Sequence, residues 1–142
     1  MRHALRLARS AGRRGEVPVG AIAVRDGAVI GAASNAMERR GDATAHAEML
    51  VLRSAARRIG GWRLEGVTVY VTLEPCAMCA GALVQGRIAR CVYGASDPKK
   101  GADGSVYDVL RNARNNHRVA VTPGVLASDC GDLLTTFFAA LR

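Results

Sequence analysis

Two cysteines, Cys76 and Cys79, sit three residues apart in LEPCAMCAG (73–81), directly behind Pro75. The segment before them, VTVYVT (67–72), is apolar and β-branched and reads as a strand, and AGALV after them reads as helix. Pro75 suits a first helical position, where its missing N–H costs nothing. Cys76 and Cys79, as i and i+3, then share one helix face. The positive end of a helix favours thiolate over thiol, so the pair forms two aligned soft anionic ligands. By itself the pair suits a zinc ion, a redox disulfide or no chemistry at all.

A second segment narrows the choice. In Thr44-Ala45-His46-Ala47-Glu48, His46 lies thirty residues before Cys76, and an acid follows two residues on. One histidine and two cysteines make three zinc ligands, with Glu48 as an additional acid. Structural zinc sites are closed by four protein ligands, whereas catalytic ones keep a position for water. No fourth ligand occurs at a matching spacing, since His3, His117, Cys91 and Cys130 each stand apart. The site therefore reads as open. Residues i and i+2 of a helix do not face each other. His46 and Glu48 can converge only at a helix start, with Thr44 or Asp42 as the expected N-cap.

The remaining elements must position these groups. MRHALRLARSAGRR (1–14) is Arg-rich and acid-free; it reads as a first helix rather than a transit peptide, and it lacks the apolar stretch of a secretion signal. VGAIAV (19–24) and AVIGAASN (28–35) flank Asp26-Gly27, a hairpin signature. Residues 45–59 read as a helix with Met49, Leu52, Ala56 and Ile59 on one face, and 76–86 as the helix behind the cysteines. RCVYGA (90–95) is a strand, DPKKGADG (97–104) a loop, 105–112 a short helix, RVAVT (118–122) a strand and 129–141 a last helix. This order predicts an α/β fold with a mixed five-stranded sheet and helices on both faces, in a single domain spanning 1–142.

Composition sets the outer limits. The chain has 142 residues, 49% of them hydrophobic, enough for one core. No apolar run approaches the roughly 20 residues of a membrane span. Four cysteines in a chain of intracellular character argue against a disulfide framework. The net charge of +8 comes from eighteen Arg and two Lys and suits a phosphate-bearing partner, although a GC-rich coding sequence also yields arginine. Lys99, Lys100, Arg111 and Arg114 are candidate phosphate contacts or a solvated charge run. Glu74 reads as a helix-start acid and Cys91 as a core residue; Cys130 carries no assignment.

HAE (46–48) followed by PCxxC (75–79) resembles the zinc-dependent cytidine deaminase superfamily. EVPVGAI (16–22), Asn35, TAHAE (44–48), YVTLEPCAMCAGAL (70–83), YGASDPKKGADGS (93–105), NHR (116–118) and FF (137–138) extend the likeness, over nearly the whole chain, to the bacterial tRNA-specific adenosine deaminases. Relatives usually carry more residues before MRHAL and basic residues after FF; this chain ends FFAALR. The resemblance implies a three-layer α/β/α cytidine-deaminase-like fold and one Zn2+ per subunit on His46, Cys76 and Cys79. It also implies Glu48 as the catalytic proton shuttle, with Asn35, Ala47, Asp97, Asn116 and Phe138 holding the flipped nucleotide and its neighbours. The implied reaction is hydrolysis of wobble adenosine to inosine in a tRNA anticodon stem-loop, in the cytoplasm and without an organic cofactor. A homodimer is implied, built on the helix after the cysteines, where Ala77, Met78, Ala80, Gly81, Ala82, Leu83 and Val84 form a small apolar surface. The alternatives are a sister deaminase acting on free guanine, cytosine or a nucleotide, and more remotely a thioredoxin-like oxidoreductase.

Overall fold

A computed structural model describes residues 1–142. The elements run α1 (Arg2–Arg13), β1 (Gly20–Arg25), β2 (Ala28–Ser34), α2 (Met37–Arg40), α3 (Ala47–Ile59), β3 (Thr68–Leu73), α4 (Ala77–Gln85), β4 (Arg90–Ala95), β5 (Ala120–Thr122) and α5 (Ala127–Ala140). They build one five-stranded sheet in the order β2-β1-β3-β4-β5. β1 pairs antiparallel with both β2 and β3, while β3, β4 and β5 run parallel. The sheet is mixed, as expected. Asp26 and Gly27 both take positive φ (50° and 74°), the conformation that a two-residue hairpin turn demands.

Helices cover both faces: α3 and α4 pack on one, α1 and α5 on the other. Alternation along β3 explains the division. Val69 and Val71 enter the main core with Ala21, Ala23, Val51, Ala55 and Leu83. Thr72 turns the other way and accepts a hydrogen bond from the Gly20 amide at 3.2 Å. On that second face α1 presents Ala4, Leu5, Ala8 and Ala11, all buried. Gly20 lets it approach closely, because a Cβ there would fall on the backbone of Ala4 and Ala8.

Two expectations need correction, and one element was not expected. The 105–112 segment is not helical: the Ser105 amide goes to a side chain, those of Val106 and Tyr107 go to the Gly101 carbonyl, and those of Val109 and Leu110 go to the Ala102 carbonyl. These long reaches close a compact loop in place of i→i−4 bonds. The one-turn helix α2 was not foreseen; it exists because the buried carboxylate of Glu16 accepts hydrogen bonds from the Glu38 and Arg39 amides, at 3.2 and 2.8 Å. The buried stripe of α3 is Ala47, Glu48, Val51, Leu52 and Ala55, with Ala56 and Ile59 at its margin and Met49 outside it.

One close packing point ties α5 to the sheet. Gly94 in β4 lies under the thiol of Cys130, and a methyl at position 94 would also lie 2.8 Å from the Thr72 carbonyl. Gly94→Ala is therefore expected to cost about 1–3 kcal/mol of stability. The urea unfolding midpoint should fall without a change in m; an unchanged midpoint would show that α5 is not held there.

Candidate active site

Both cysteines and the histidine lie at helix starts, but not where sequence rules put them. His46 is itself the N-cap of α3, with φ −71° and ψ 151°. Asp42 and Thr44, the expected caps, are occupied with each other: the Thr44 amide and hydroxyl both donate to Asp42 Oδ1, at 2.8 and 2.7 Å. The extended backbone of His46 turns its imidazole off the helix axis while Glu48 follows in the first turn. That resolves the i, i+2 objection. Cys76 is likewise the N-cap of α4, with φ −72° and ψ 174°, which moves Pro75 one position ahead of the helix. Cys79 follows three residues on, inside the helix.

The three side chains converge. His46 Nδ1 lies 3.6 Å from Cys76 Sγ and 3.5 Å from Cys79 Sγ. All three donor atoms fall within 4.8 Å of one another. A tetrahedral ion with Zn–S of about 2.3 Å and Zn–N of about 2.1 Å requires an S···N edge of about 3.6 Å. The donor set and its spacing therefore fit a zinc-like metal, and the softness of two thiolates with an imidazole disfavours magnesium or calcium. The protons already lean toward that use. The thiol of Cys79 donating to it, with His46 alongside, holds Cys76 down at about 4 despite burial. Cys79 is pushed up by that same pairing and by burial, and His46 is raised chiefly by Cys76.

Glu48 is buried, at 4% exposure, and burial pushes its carboxyl up to about 7, against the pull of its own amide and His46. A carboxyl poised there can both take and give a proton near neutral pH. His46, Cys76 and Glu48 open onto a cleft of about 530 Å³. Of the residues expected to hold substrate, Asn35, Asp97 and Phe138 line this cleft. Phe138 is 45% exposed, so it belongs to the cleft wall more than to the core. Ala47 is buried as the first residue of α3, whose opening amides lack helical partners. Asn116 does not line the cleft; it is exposed, and its neighbour His117 is bound to the Ile88 carbonyl at 2.7 Å. Among the basic candidates, Lys99 and Lys100 line the cleft, whereas Arg111 is committed to the buried Asp103 at 2.7 and 2.9 Å.

The residue that sequence reasoning missed is Glu74. It is buried and accepts hydrogen bonds from the amides of Asp97 (2.9 Å), Asp103 (2.9 Å) and Ser105 (3.3 Å), and from the Ser105 hydroxyl at 2.5 Å. Gly101 packs against its carboxylate, where no Cβ would fit. One carboxylate thereby shapes the whole 97–105 loop that supplies Asp97, Lys99 and Lys100 to the cleft. Burial raises its pKa, but the donors from Ser105, Asp97 and Asp103 outweigh that, and the net value is below the ordinary one. The only sequence signal was an acid between a buried strand and the cysteines.

Comparison with known proteins agrees with this geometry. The model of the MafB19-like deaminase family matches residues 1–142. The tRNA-specific adenosine deaminase of Bacillus subtilis is 48% identical over 142 residues, covering 100% of this chain and 88% of the relative. The chain belongs to this deaminase family. A member solved in a study of A-to-I editing by tRNA:A34 deaminases at the wobble position of transfer RNA superposes with a TM-score of 0.91 at 46% identity, over 94% of this chain and 97% of the other. That match supports the cytidine-deaminase-like α/β fold. A guanine deaminase from Nitrosomonas europaea, 23% identical with a TM-score of 0.81 over 96% of this chain and 81% of the other, shares the fold.

Within this deaminase, removing the Glu74 carboxylate should release the loop and spare the sheet. In Glu74→Ala the buried Asp103 amide is orphaned, at a cost of about 1–3 kcal/mol. Amide exchange should accelerate across 97–105 and stay slow in β3 and β4. Because the folded pKa is depressed, the carboxylate's contribution is complete above its unfolded value near ~4.3 and is lost as pH falls through the lower folded value. Acidification of the unmodified protein should loosen the same amides. Uniform acceleration across the sheet would contradict a local role.

Proposed function

We propose that this chain, with 1–142 working as one domain, hydrolyses the wobble adenosine of a tRNA anticodon to inosine and ammonia in the cytoplasm. The observation that carries the reading is the buried Glu48 carboxyl beside a three-donor His/Cys/Cys set that opens onto the cleft. The 48% identity to a tRNA-specific adenosine deaminase supports the substrate. The +8 net charge suits a nucleic acid better than a neutral free base.

His46, Cys76 and Cys79 would hold one Zn2+, which supplies a water whose pKa falls to about 7. Every other task falls to the chain. Glu48 accepts a proton from the water as its oxygen bonds to carbon 6, holds it on its buried carboxyl and returns it to the purine ring; it then carries the proton of the new hydroxyl to the amino group, so that the carbon 6–nitrogen bond breaks, ammonia leaves and the carbonyl of inosine forms. The first-turn amide of Ala47 and the side chain of Asn35 orient the base. Asp97 and Phe138 contact neighbouring nucleotides, with the loop bearing Asp97 preset by Glu74. Asn116 would reach RNA only outside the cleft. An anticodon loop nucleotide is already partly unstacked, so extruding it costs less than opening a duplex.

A homodimer is part of this reading. Ala80, Leu83 and Val84, counted above as surface, are buried within the chain's own core. What remains outward on α4 is Ala77, Met78, Gly81 and Ala82, none of them fully buried, and a Cβ on Gly81 would meet nothing within 4 Å. Such a face favours burial against a second copy. Light scattering should give twice the chain mass at micromolar concentration, and Gly81→Arg should yield the monomer; a monomeric unmodified protein would refute it.

Two variants separate ligand from proton shuttle. Freshly purified protein should carry about one zinc per chain, and Cys79→Ala should lose both the metal and stability, because binding is coupled to folding. Glu48→Ala should keep metal and fold while losing about two to four orders of magnitude in turnover. Loss of zinc from that variant would recast Glu48 as a ligand.

The substrate is tested by direct competition. The enzyme is offered an anticodon stem-loop with wobble adenosine, the same stem-loop with that base changed, and free adenine, guanine and cytosine. Inosine is expected in the first alone. Ammonia released from a free base with the stem-loop untouched would overturn the reading and point to a sister deaminase.

A further inference from the structure

A second concavity, of about 260 Å³, lies behind α2 and is lined by nine residues, three of them hydrophobic. The polar walls are Arg39 and Arg40 from α2, Arg53, Ser54 and Arg57 from α3, and Ser34 from the end of β2. Arg53 and Arg57 are i and i+4, so their guanidinium groups project from one helix face. Arg14 approaches the rim, donating to the Ser34 hydroxyl at 3.0 Å.

Four arginines around one small cavity repel one another unless something negative joins them. No carboxylate of the chain forms an ion pair with any of the four. The chain's two ion pairs are Arg25–Asp26 and Arg111–Asp103. Asp42, whose field reaches Arg53 and Arg40, spends its Oδ1 on Thr44. Guanidinium forks and hydroxyl donors together match the oxygens of a phosphodiester.

Position identifies the phosphodiester's source. Met37 of α2 lines the catalytic cleft, while Arg39 and Arg40 of the same helix line this cavity. Three residues of helix span only about 4.5 Å. The two concavities are therefore adjacent sides of one short helix, whose start is held rigidly by Glu16. A strand that seats its target base and the two neighbouring nucleotides in the cleft would lead its further phosphates along this helix toward the arginines.

Building on the tRNA reading above, we propose that the Arg39–Arg40–Arg53–Arg57 cavity is a phosphate-binding exosite for RNA backbone beyond the nucleotides that immediately flank the target adenosine. It contributes affinity and leaves the chemical step to the cleft. A membrane surface fits less well, because the cavity is concave and its apolar lining is limited to Ala32, Ala33 and Leu50.

The test compares three forms of the full chain: unmodified, Arg39→Gln/Arg40→Gln/Arg53→Gln/Arg57→Gln, and a control that removes four exposed arginines elsewhere, Arg2→Gln/Arg6→Gln/Arg9→Gln/Arg13→Gln on α1. Each is assayed across a salt series on the wobble-adenosine stem-loop and on a trinucleotide centred on the same adenosine, which fills the cleft alone. For the exosite variant, KM for the stem-loop should rise with kcat retained, and the slope of log(kcat/KM) against log[salt] should flatten by about 1.5 or more, the loss of about two phosphate contacts. The trinucleotide should be processed alike by all three forms, and the α1 control should behave as the unmodified protein. Arg53→Gln/Arg57→Gln alone should give part of the effect, guarding against misfolding of the fourfold variant. An unchanged stem-loop KM, or an equal loss in the α1 control or with the trinucleotide, would overturn the exosite while leaving the substrate reading standing. Failure of the unmodified protein to deaminate either RNA would overturn both.

Discussion

The structure depends on bringing two helix starts to one point. His46 opens α3 and Cys76 opens α4, each as a non-helical N-cap whose side chain leaves the helix axis, and Cys79 follows within α4. Helix dipoles directed at the same place favour thiolate and would bind a metal ion poorly unless anionic sulfur screens them. Two cysteines at one helix start supply that screening. The rest of the fold serves this meeting: β2 and β3, each antiparallel to β1, run the same way and deliver the chain toward α3 and α4 on the same edge, and small residues such as Ala21, Ala23, Ala47, Ala55 and Ala80 let α3 and α4 lie close on the sheet.

A second tier of buried acids shapes the surroundings without doing chemistry. Glu16 fixes the start of α2, and Glu74 gathers three amides and a hydroxyl of the 97–105 loop. Both are buried, and a buried carboxylate is tolerated only when its oxygens are fully engaged. Each thus acts as a rigid template for irregular backbone that side-chain packing could not define. Glu48 is buried as well, yet its pKa is raised while that of Glu74 is lowered. Peptide amides around Glu74 stabilise its charge, whereas at Glu48 burial outweighs the pull of its own amide and of His46. Similar burial thus yields opposite charge preferences, which suit Glu74 to a template and Glu48 to the proposed shuttle.

The His46, Cys76 and Cys79 cluster and the sheet were legible in the sequence because their signals are local. HAE and PCxxC each fit within one helix start, and β-branched alternation and Asp26-Gly27 each act over a few residues. What escaped were features made by distant partners. Nothing near Glu16 announces that it caps a helix twenty-two residues away, and nothing near Glu74 points to Ser105. For the same reason 105–112 looked helical, since local propensity ignores amides recruited by a remote carboxylate. Capping rules favoured Thr44 and Asp42 over His46, but those two side chains satisfy each other. Family resemblance carried Asn116 into the substrate set, while the fold leaves it exposed and outside the cleft.

X-ray absorption at the zinc edge of the purified protein tests the central claim most directly, because it reads the ligand set without an assay. Three protein ligands with the fourth position left to solvent predict two sulfurs at about 2.3 Å and two lighter atoms, one imidazole nitrogen and one oxygen, at about 2.0–2.1 Å. Adding a purine analogue that reaches the ion should change only the oxygen shell. A shell of three or four sulfurs, or two sulfurs with two imidazoles, would mean a closed structural site and would contradict the account.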